Sequence, residues 1–272
     1  MATTSFSKKE KEAAERKAKS RKRKQRKAKI ITTVVVVLVM TVAAVCALSL
    51  TVLFKIETIN VLGSATYTAE EVITAAGIAV GDNLIRVSKN DLSETLQKNL
   101  PFIDEIVVEK QFPGILNITV KETKEEIVFK NSKAVYSANK NGKILKKYSD
   151  YSGDLMFITV SDKVVFTEGE TVLFENEREK ELCFNYIGMI FENDYDVEFV
   201  NISDSFSSYM KFEDRIIAKF GSASYFENKA AYFKAGVKGI SESAEGVFDL
   251  SAWTPENNKP VLTYGDISSY EK

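Results

Sequence analysis

The chain has 272 residues, 44% apolar and 28% charged, a balance suited to folded protein and a length suited to about two domains. The absence of histidine excludes imidazole metal sites and Ser-His or Cys-His nucleophile pairs, and with only two cysteines, Cys46 in an apolar run and Cys183 alone in the body, no disulfide can staple the body. The net charge of −1 hides a division: Met1–Lys29 carries 13 Lys+Arg against 3 Asp+Glu, and the remainder 24 against 35.

In chain order, the basic tail comes first. Glu12–Arg16 and Glu15–Lys19 have the i,i+4 spacing of helical ion pairs. The tail reads first as a topology signal and second as an attachment to anionic lipid, worth about 1 kcal/mol per basic residue near a charged surface. Its one aromatic, Phe6, lies far from the basic core, which argues against nucleic-acid binding. Ile30 to Phe54 then holds 25 residues without a charge. As a helix it is about 37 Å long, enough to cross a bilayer with some tilt. Crowded Lys and Arg on its N-terminal side predict a cytoplasmic N-terminus and an extracytoplasmic body. A cleaved signal peptide is the alternative, with "VCA" at Val45–Ala47 as the cleavage site, but Leu48–Phe54 stays apolar beyond it.

A folded pattern starts where the apolar run stops. Ile56, Ile59 and Val61 punctuate a strand ending at Gly63. Thr68 and Glu71 form a capping box for a short helix that stops at Gly77. Gly81–Asn83 is a turn. Ser88 begins a second helix with Leu92, Leu96 and Leu100 on one face, and Pro101 ends it. Strands follow from Phe102 and from Ile115, joined by the turn Phe112–Gly114. The order β-α-α-β-β suits a three-stranded sheet covered on one face by two helices.

Beyond Ile127 the spacing predicts a hairpin with a type I′ turn at Asn141–Gly142. Strands at Met156–Val160 and Val164–Val165 come next, then a helix over Asn176–Phe191 and a strand around Val197–Ile202. A second hairpin turns near Asp214 and closes at Gly221. A helix over Tyr225–Val237 carries Phe226, Ala230, Phe233 and Val237 on one face. Two late strands, "GVFDLSAW" and "PVLTYG", flank a polar loop at residues 254–259.

Sequence motifs for catalysis are thin. "SYMK" at Ser208–Lys211 has the S-x-x-K spacing of Ser-Lys acyl-enzymes but lacks their S-D-N and K-T-G companions. Glu125–Glu126 and Glu168/Glu170 are carboxylate pairs, expected by chance in so acidic a body. Cys183 reads as a small buried residue, and the sequence has neither G-x-x-x-x-G-K nor G-x-G-x-x-G. No catalytic residue, cofactor, metal, small-molecule substrate or nucleic acid is therefore expected. What remains is surface for a partner. The last strand, Val261–Tyr264, would be a sheet edge able to accept a partner's strand, with Trp253 and Tyr264 as aromatic anchors. The bland alternative is that both aromatics finish the core.

The ordered set "I-x-x-I-x-V-x-G" from Ile56, "G-x-N-L" from Gly81, "L-P-F-I-x-x-I-x-V" from Leu100 and "F-P-x-x-L-x-I-x-V-x-E" from Phe112 resembles a POTRA domain, in this setting that of the FtsQ/DivIB cell-division family. Ile59, Val61, Gly63, Thr68, Glu71 and Pro113 are its structural signature here. Ser64 departs from the family's usual Asn. The second part resembles the family's β domain more loosely, through a glycine-turn hairpin, a helix with an early lysine (Lys229) and an "x-D-L" strand at Asp249–Leu250. There "DLSA" replaces the family's "D-L-R-Y".

The resemblance implies an α+β protein: basic cytoplasmic tail (1–29), transmembrane helix (30–54), POTRA domain (55–123), mixed β domain with two helices (124–265) and short C-terminal tail (266–272). It implies a single-pass membrane scaffold at the division septum that supports septal peptidoglycan synthesis. Its partners would be FtsL-like and DivIC/FtsB-like coiled-coil proteins, engaged through Trp253, Val261, Leu262, Thr263 and Tyr264. The competing expectations are a membrane-anchored cell-wall hydrolase or peptidase and a POTRA-bearing transport component; no membrane barrel pattern is visible.

Overall fold

The computed structural model describes residues 3–48, 53–257 and 259–270. It is α+β, with one long N-terminal helix, a small mixed module and a β-rich C-terminal region. The chain divides into two compact units. One comprises Met1–Ile59, Ala79–Ser88 and Glu109–Leu116, and the other Asn60–Ile78, Lys89–Val108 and Asn117–Lys272.

Helix α1 runs from Thr3 to Leu48, and its stretch Lys24–Cys46 is long and apolar enough to cross a membrane. From Ile30 to Leu48 its large apolar side chains are exposed all round, as expected of a helix that has lipid for a partner. Thr32, Thr33 and Thr41 turn their hydroxyls back onto carbonyls four residues earlier, so these polar groups are satisfied within the helix. Of the predicted run 30–54, residues 49–52 lie outside the described residues. Leu53 is π-helical and Phe54 lies in a turn, and the Phe54 carbonyl accepts from Leu84 N at 2.7 Å, which ties it to the fold that follows.

The small module has the predicted order: β1 (Thr58–Leu62), α2 (Ala69–Ala76), α3 (Lys89–Asn99), β2 (Ile103–Gln111) and β3 (Ile115–Glu122). The strands lie in the order β1-β3-β2. Both arms of the Thr68–Glu71 capping box are made, with Thr68 N donating to Glu71 Oε2 at 2.8 Å. Val72, Ala76, Leu92 and Leu96 are buried on the helices, and Leu116, Ile118 and Val120 alternate inward on β3. Gly63 is required twice. Its φ is +88°, and a Cβ there would lie 2.1 Å from the Val120 carbonyl oxygen. Just beyond, the Glu122 carboxylate accepts from Ser64 Oγ, Ala65 N and Thr66 N at 2.7, 3.1 and 2.9 Å. Burial alone would raise the Glu122 pKa, but these bonds hold it below the usual carboxylate range.

The C-terminal region is one nine-stranded sheet. Its strands are β4 (Ile127–Lys130), β5 (Val135–Ala138), β6 (Ile144–Tyr148), β7 (Met156–Thr159), β8 (Val197–Asn201), β9 (Ser208–Phe212), β10 (Ile216–Gly221), β11 (Gly246–Asp249) and β12 (Val261–Tyr264). The order is β12-β11-β10-β9-β8-β7-β4-β5-β6. Three pairs are parallel: β4/β7, β7/β8 and β10/β11. The chain between β7 and β8 contains α4 (Glu177–Asn193), and that between β10 and β11 contains α5 (Phe226–Val237). Parallel neighbours need a long crossover, supplied by a helix in these two cases and by β5 and β6 between β4 and β7. Both helices feed one core, where Leu182, Tyr186, Ile190, Phe226 and Phe233 meet Phe129, Ile158, Val200, Met210, Phe212 and Phe220.

Two sequence expectations need correction. Asn141 is not left-handed, so the first hairpin has no type I′ turn. Gly142 N donates to Asn139 O at 2.9 Å, Gly142 alone has positive φ (+80°), and the Asn139 side chain accepts from Asn141 N and Lys143 N, both at 3.0 Å. An Asx-type bracket thus shapes the loop. Two successive left-handed residues occur instead at Glu213–Asp214, the tip of the second hairpin. The predicted strand at Val164–Val165 is reduced to a single bridge between Val165 and Leu173.

Candidate partner-binding edge

The sheet's outer strand on one side is β12, held antiparallel to β11 with Gly246 opposite Tyr264, Val247 opposite Thr263, Phe248 opposite Leu262 and Asp249 opposite Val261. The approach at Gly246 is close: a Cβ there would lie 2.3 Å from the Thr263 carbonyl oxygen. Leu262 packs on the core, whereas Val261 and Tyr264 are 59% and 63% exposed, and Thr263 is exposed. Among the described residues no strand pairs with the far side of β12, so its outward backbone groups face solvent.

The predicted residues do not all share this surface. Trp253 is buried, with its ring 5.3 Å from that of Tyr232 and 5.8 Å from that of Tyr225. It therefore follows the bland alternative, finishing the core beside α5, and its Nε1 has no acceptor among the described residues. Tyr264 remains outside. The segment after β12 does not hang free. Gly265 N donates to Glu245 O at 3.1 Å and Ile267 N to Glu245 Oε1 at 3.2 Å; Ile267 is buried, and the Tyr270 ring sits edge-on to Tyr209 at 5.4 Å. Tyr209 belongs to β9, so the chain turns back over the sheet and leaves the β12 edge open. Sequence reading missed Ile267 and Tyr270; the only signal was two apolar-bodied residues in a polar tail.

The residues weighed for catalysis are committed elsewhere. Ser208 is buried, donating to Gly221 O at 2.6 Å and bonded to Tyr186 OH at 3.0 Å. Three residues on along β9, Lys211 falls on the opposite side of the strand and pairs with Glu198 at 2.7 Å and with Asp214. Burial pushes the Cys183 thiol well up, away from a reactive thiolate. Glu125 accepts from Ser137 Oγ and from Tyr148 OH, and burial together with that carboxylate pushes the Tyr148 pKa up to about 12. Glu168 accepts from Lys147 N, and Glu170 pairs with Lys98 at 3.0 Å. No cluster of metal-ligating side chains occurs among the described residues.

Residues 54–123 match the family of POTRA domains of the FtsQ type. This segment is an FtsQ-type POTRA domain. The chain is 33% identical over 99 residues to the cell division protein FtsQ of Geobacter sp. (strain M21), covering 36% of this chain and 35% of that one. It is 37% identical over 70 residues to the cell division protein DivIB of Paenibacillus polymyxa (strain E681), 26% of this chain and 27% of that one. It is 32% identical over 94 residues to DivIB of Clostridium botulinum (strain Loch Maree / Type A3), 35% and 36% of the two chains. Both findings support the FtsQ/DivIB family. The aligned stretch spans about a third of these relatives' length.

Proposed function

We propose that the chain is a single-pass cell-division scaffold organised as a cytoplasmic basic tail (1–29), membrane helix (30–54), POTRA domain (55–123), β domain (124–265) and short C-terminal segment (266–272). The similarity to FtsQ and DivIB proteins supports a role in division. The apolar helix supports anchoring in the cell membrane, and the basic residues before it support an N-in orientation. Its work is assembly by binding, without turnover, at the site of septal peptidoglycan synthesis.

The observation that carries this reading is the open edge of β12, with Val261 and Tyr264 exposed. A partner segment adding as a tenth strand gains backbone hydrogen bonds for affinity and alternate side-chain contacts for specificity. The expected partners are FtsL-like and DivIC/FtsB-like coiled-coil proteins. In this arrangement Trp253 supports the edge from within, and Tyr264 and Val261 meet the partner. The full chain, purified from membranes, should bring down such a pair. The double variant Val261→Lys, Tyr264→Ala alters exposed positions and should lose at least about 90% of it while keeping its thermal unfolding midpoint. Undiminished co-purification by the variant would sink the edge as the binding site; absence of any such pair from the wild-type eluate would sink the scaffold role.

A further inference from the structure

The unit that contains α1 also contains one pole of the small module, built from three loops. Leu84 N donates to Phe54 O at 2.7 Å, Ile56 N to Asp82 O at 2.8 Å, Gly81 N to Ile56 O at 2.8 Å and Glu57 N to Gly114 O at 2.7 Å. Lys110 Nζ donates to Ile85 O at 3.2 Å. Residues 53–57, 79–86 and 110–114 are thereby knitted together, with Ile56 and Leu84 buried beneath.

What these loops leave outside is apolar. Leu53, Val80 and Phe112 are 62%, 66% and 57% exposed, and Ile85 is 40% exposed. Phe112 stands edge-on to Phe54 with ring centroids 5.4 Å apart. Buried Ile56 and Leu84 anchor the loops, so the fold does not need greasy side chains at their tips. Exposed apolar side chains gathered on loops tied to one another mark a contact with something other than water.

The covalent chain says what that contact is. Only five peptide steps separate Leu48, where α1 ends, from Leu53. Even fully extended, they reach at most about 18 Å. The patch is thus tethered at the level of the bilayer's polar layer, where aromatic rings are favoured. The three loops carry Lys55, Arg86 and Lys110 against Glu57 and Asp82. That excess of one positive charge gives only a weak pull on anionic headgroups, so insertion of apolar side chains is the main attraction.

We propose that this pole is a membrane-docking surface, with Leu53, Val80 and Phe112 inserted into the interfacial layer of the leaflet where α1 emerges. The inference rests on α1 being a membrane anchor. It adds that the POTRA domain is held against the bilayer at a fixed height and is not merely tethered beside it.

The test uses the full chain in phospholipid vesicles, with Trp253→Phe removing the native indole. A single indole is then introduced as Phe112→Trp, as Val80→Trp or, for comparison, as Leu173→Trp at an exposed position of the β domain. Lipids brominated near the headgroup end of the acyl chain serve as quencher. Both pole probes should be quenched at least about threefold more than the Leu173→Trp probe and emit at shorter wavelength. If one pole variant fails to fold, the other reads the same depth. Quenching equal to that of the Leu173→Trp probe, in protein that floats with the vesicles, would overturn the docking and leave the pole to water or to a protein partner. Protein that does not float would instead overturn the anchor, and the docking with it.

Discussion

The three-stranded and nine-stranded sheets resolve burial in opposite ways. Among the described residues, the buried side chains of the POTRA module are all apolar. The larger sheet encloses Glu179, Lys211 and Lys229 as well. Each makes two polar contacts. Glu179 accepts from Ser161 N at 2.6 Å and Ser161 Oγ at 2.7 Å, and Lys229 donates to the carbonyls of Phe220 and Ser222 at 2.7 and 3.1 Å. Lys211 has its two carboxylates. A buried charge is tolerable only with such partners. The small module puts its specificity in backbone geometry at its rim, through Gly63 and the Glu122 cradle. The large sheet puts much of it in polar ties through the core.

That contrast can be broken by experiment. The largest effect is expected for Gly63→Val. A β-branched residue would have to adopt a positive φ and displace the Val120 carbonyl, at a cost of about 3 kcal/mol or more. Denaturant unfolding with hydrogen exchange should show the loss on β1 and β3; unchanged protection there would mean that the rim geometry does not matter.

Next in size is Lys229→Met, which keeps the side chain's bulk but leaves the buried Phe220 carbonyl and the partly buried Ser222 carbonyl without this donor. A loss of about 1–3 kcal/mol is expected. Its pH signature separates a polar tie from simple packing. Burial holds the Lys229 pKa below that of an ordinary lysine. Between the lowered folded value and the unfolded value, the unfolded chain binds the extra proton, so wild-type stability should rise with pH in that window. The methionine variant should lack that rise. A slope shared by both proteins would remove Lys229 as its source.

The smallest effect concerns Glu122. Its folded pKa is depressed, so its contribution is present above the unfolded value and fades as pH falls through the folded one. Amides of Ala65 and Thr66, which donate to this carboxylate, should lose exchange protection in that acid range before β3 does. Glu122→Gln should show weak protection of both amides at neutral pH.

How much was legible beforehand differs between the same two regions. In the POTRA module the signals are local. Thr68 and Glu71 stand three residues apart, Leu92, Leu96 and Leu100 repeat every four, and each places a side chain without reference to distant chain. In the C-terminal region most strands could be read, but not β4 (Ile127–Lys130), whose buried run does not alternate, and not which strands are neighbours. Nothing in Ile127–Lys130 announces that it lies beside Met156–Thr159, since alternation names a face and not a partner. Asn141–Gly142 misled because a side chain, that of Asn139, reshaped the turn.

The sequence by itself determined an apolar helix able to span a membrane, the capped two-helix module after it, and both helices and most strands of the remainder. Covalent geometry, propensity and short-range periodicity suffice for those. Only the tertiary structure decided that β12 lies at an open edge, that Trp253 turns into the core while Tyr264 stays out, and that Ile267 and Tyr270 fold back over the sheet. Those outcomes depend on which surfaces are already taken by chain far away in sequence. Exposure of an aromatic side chain is a property of the assembled packing and not of its neighbours along the chain.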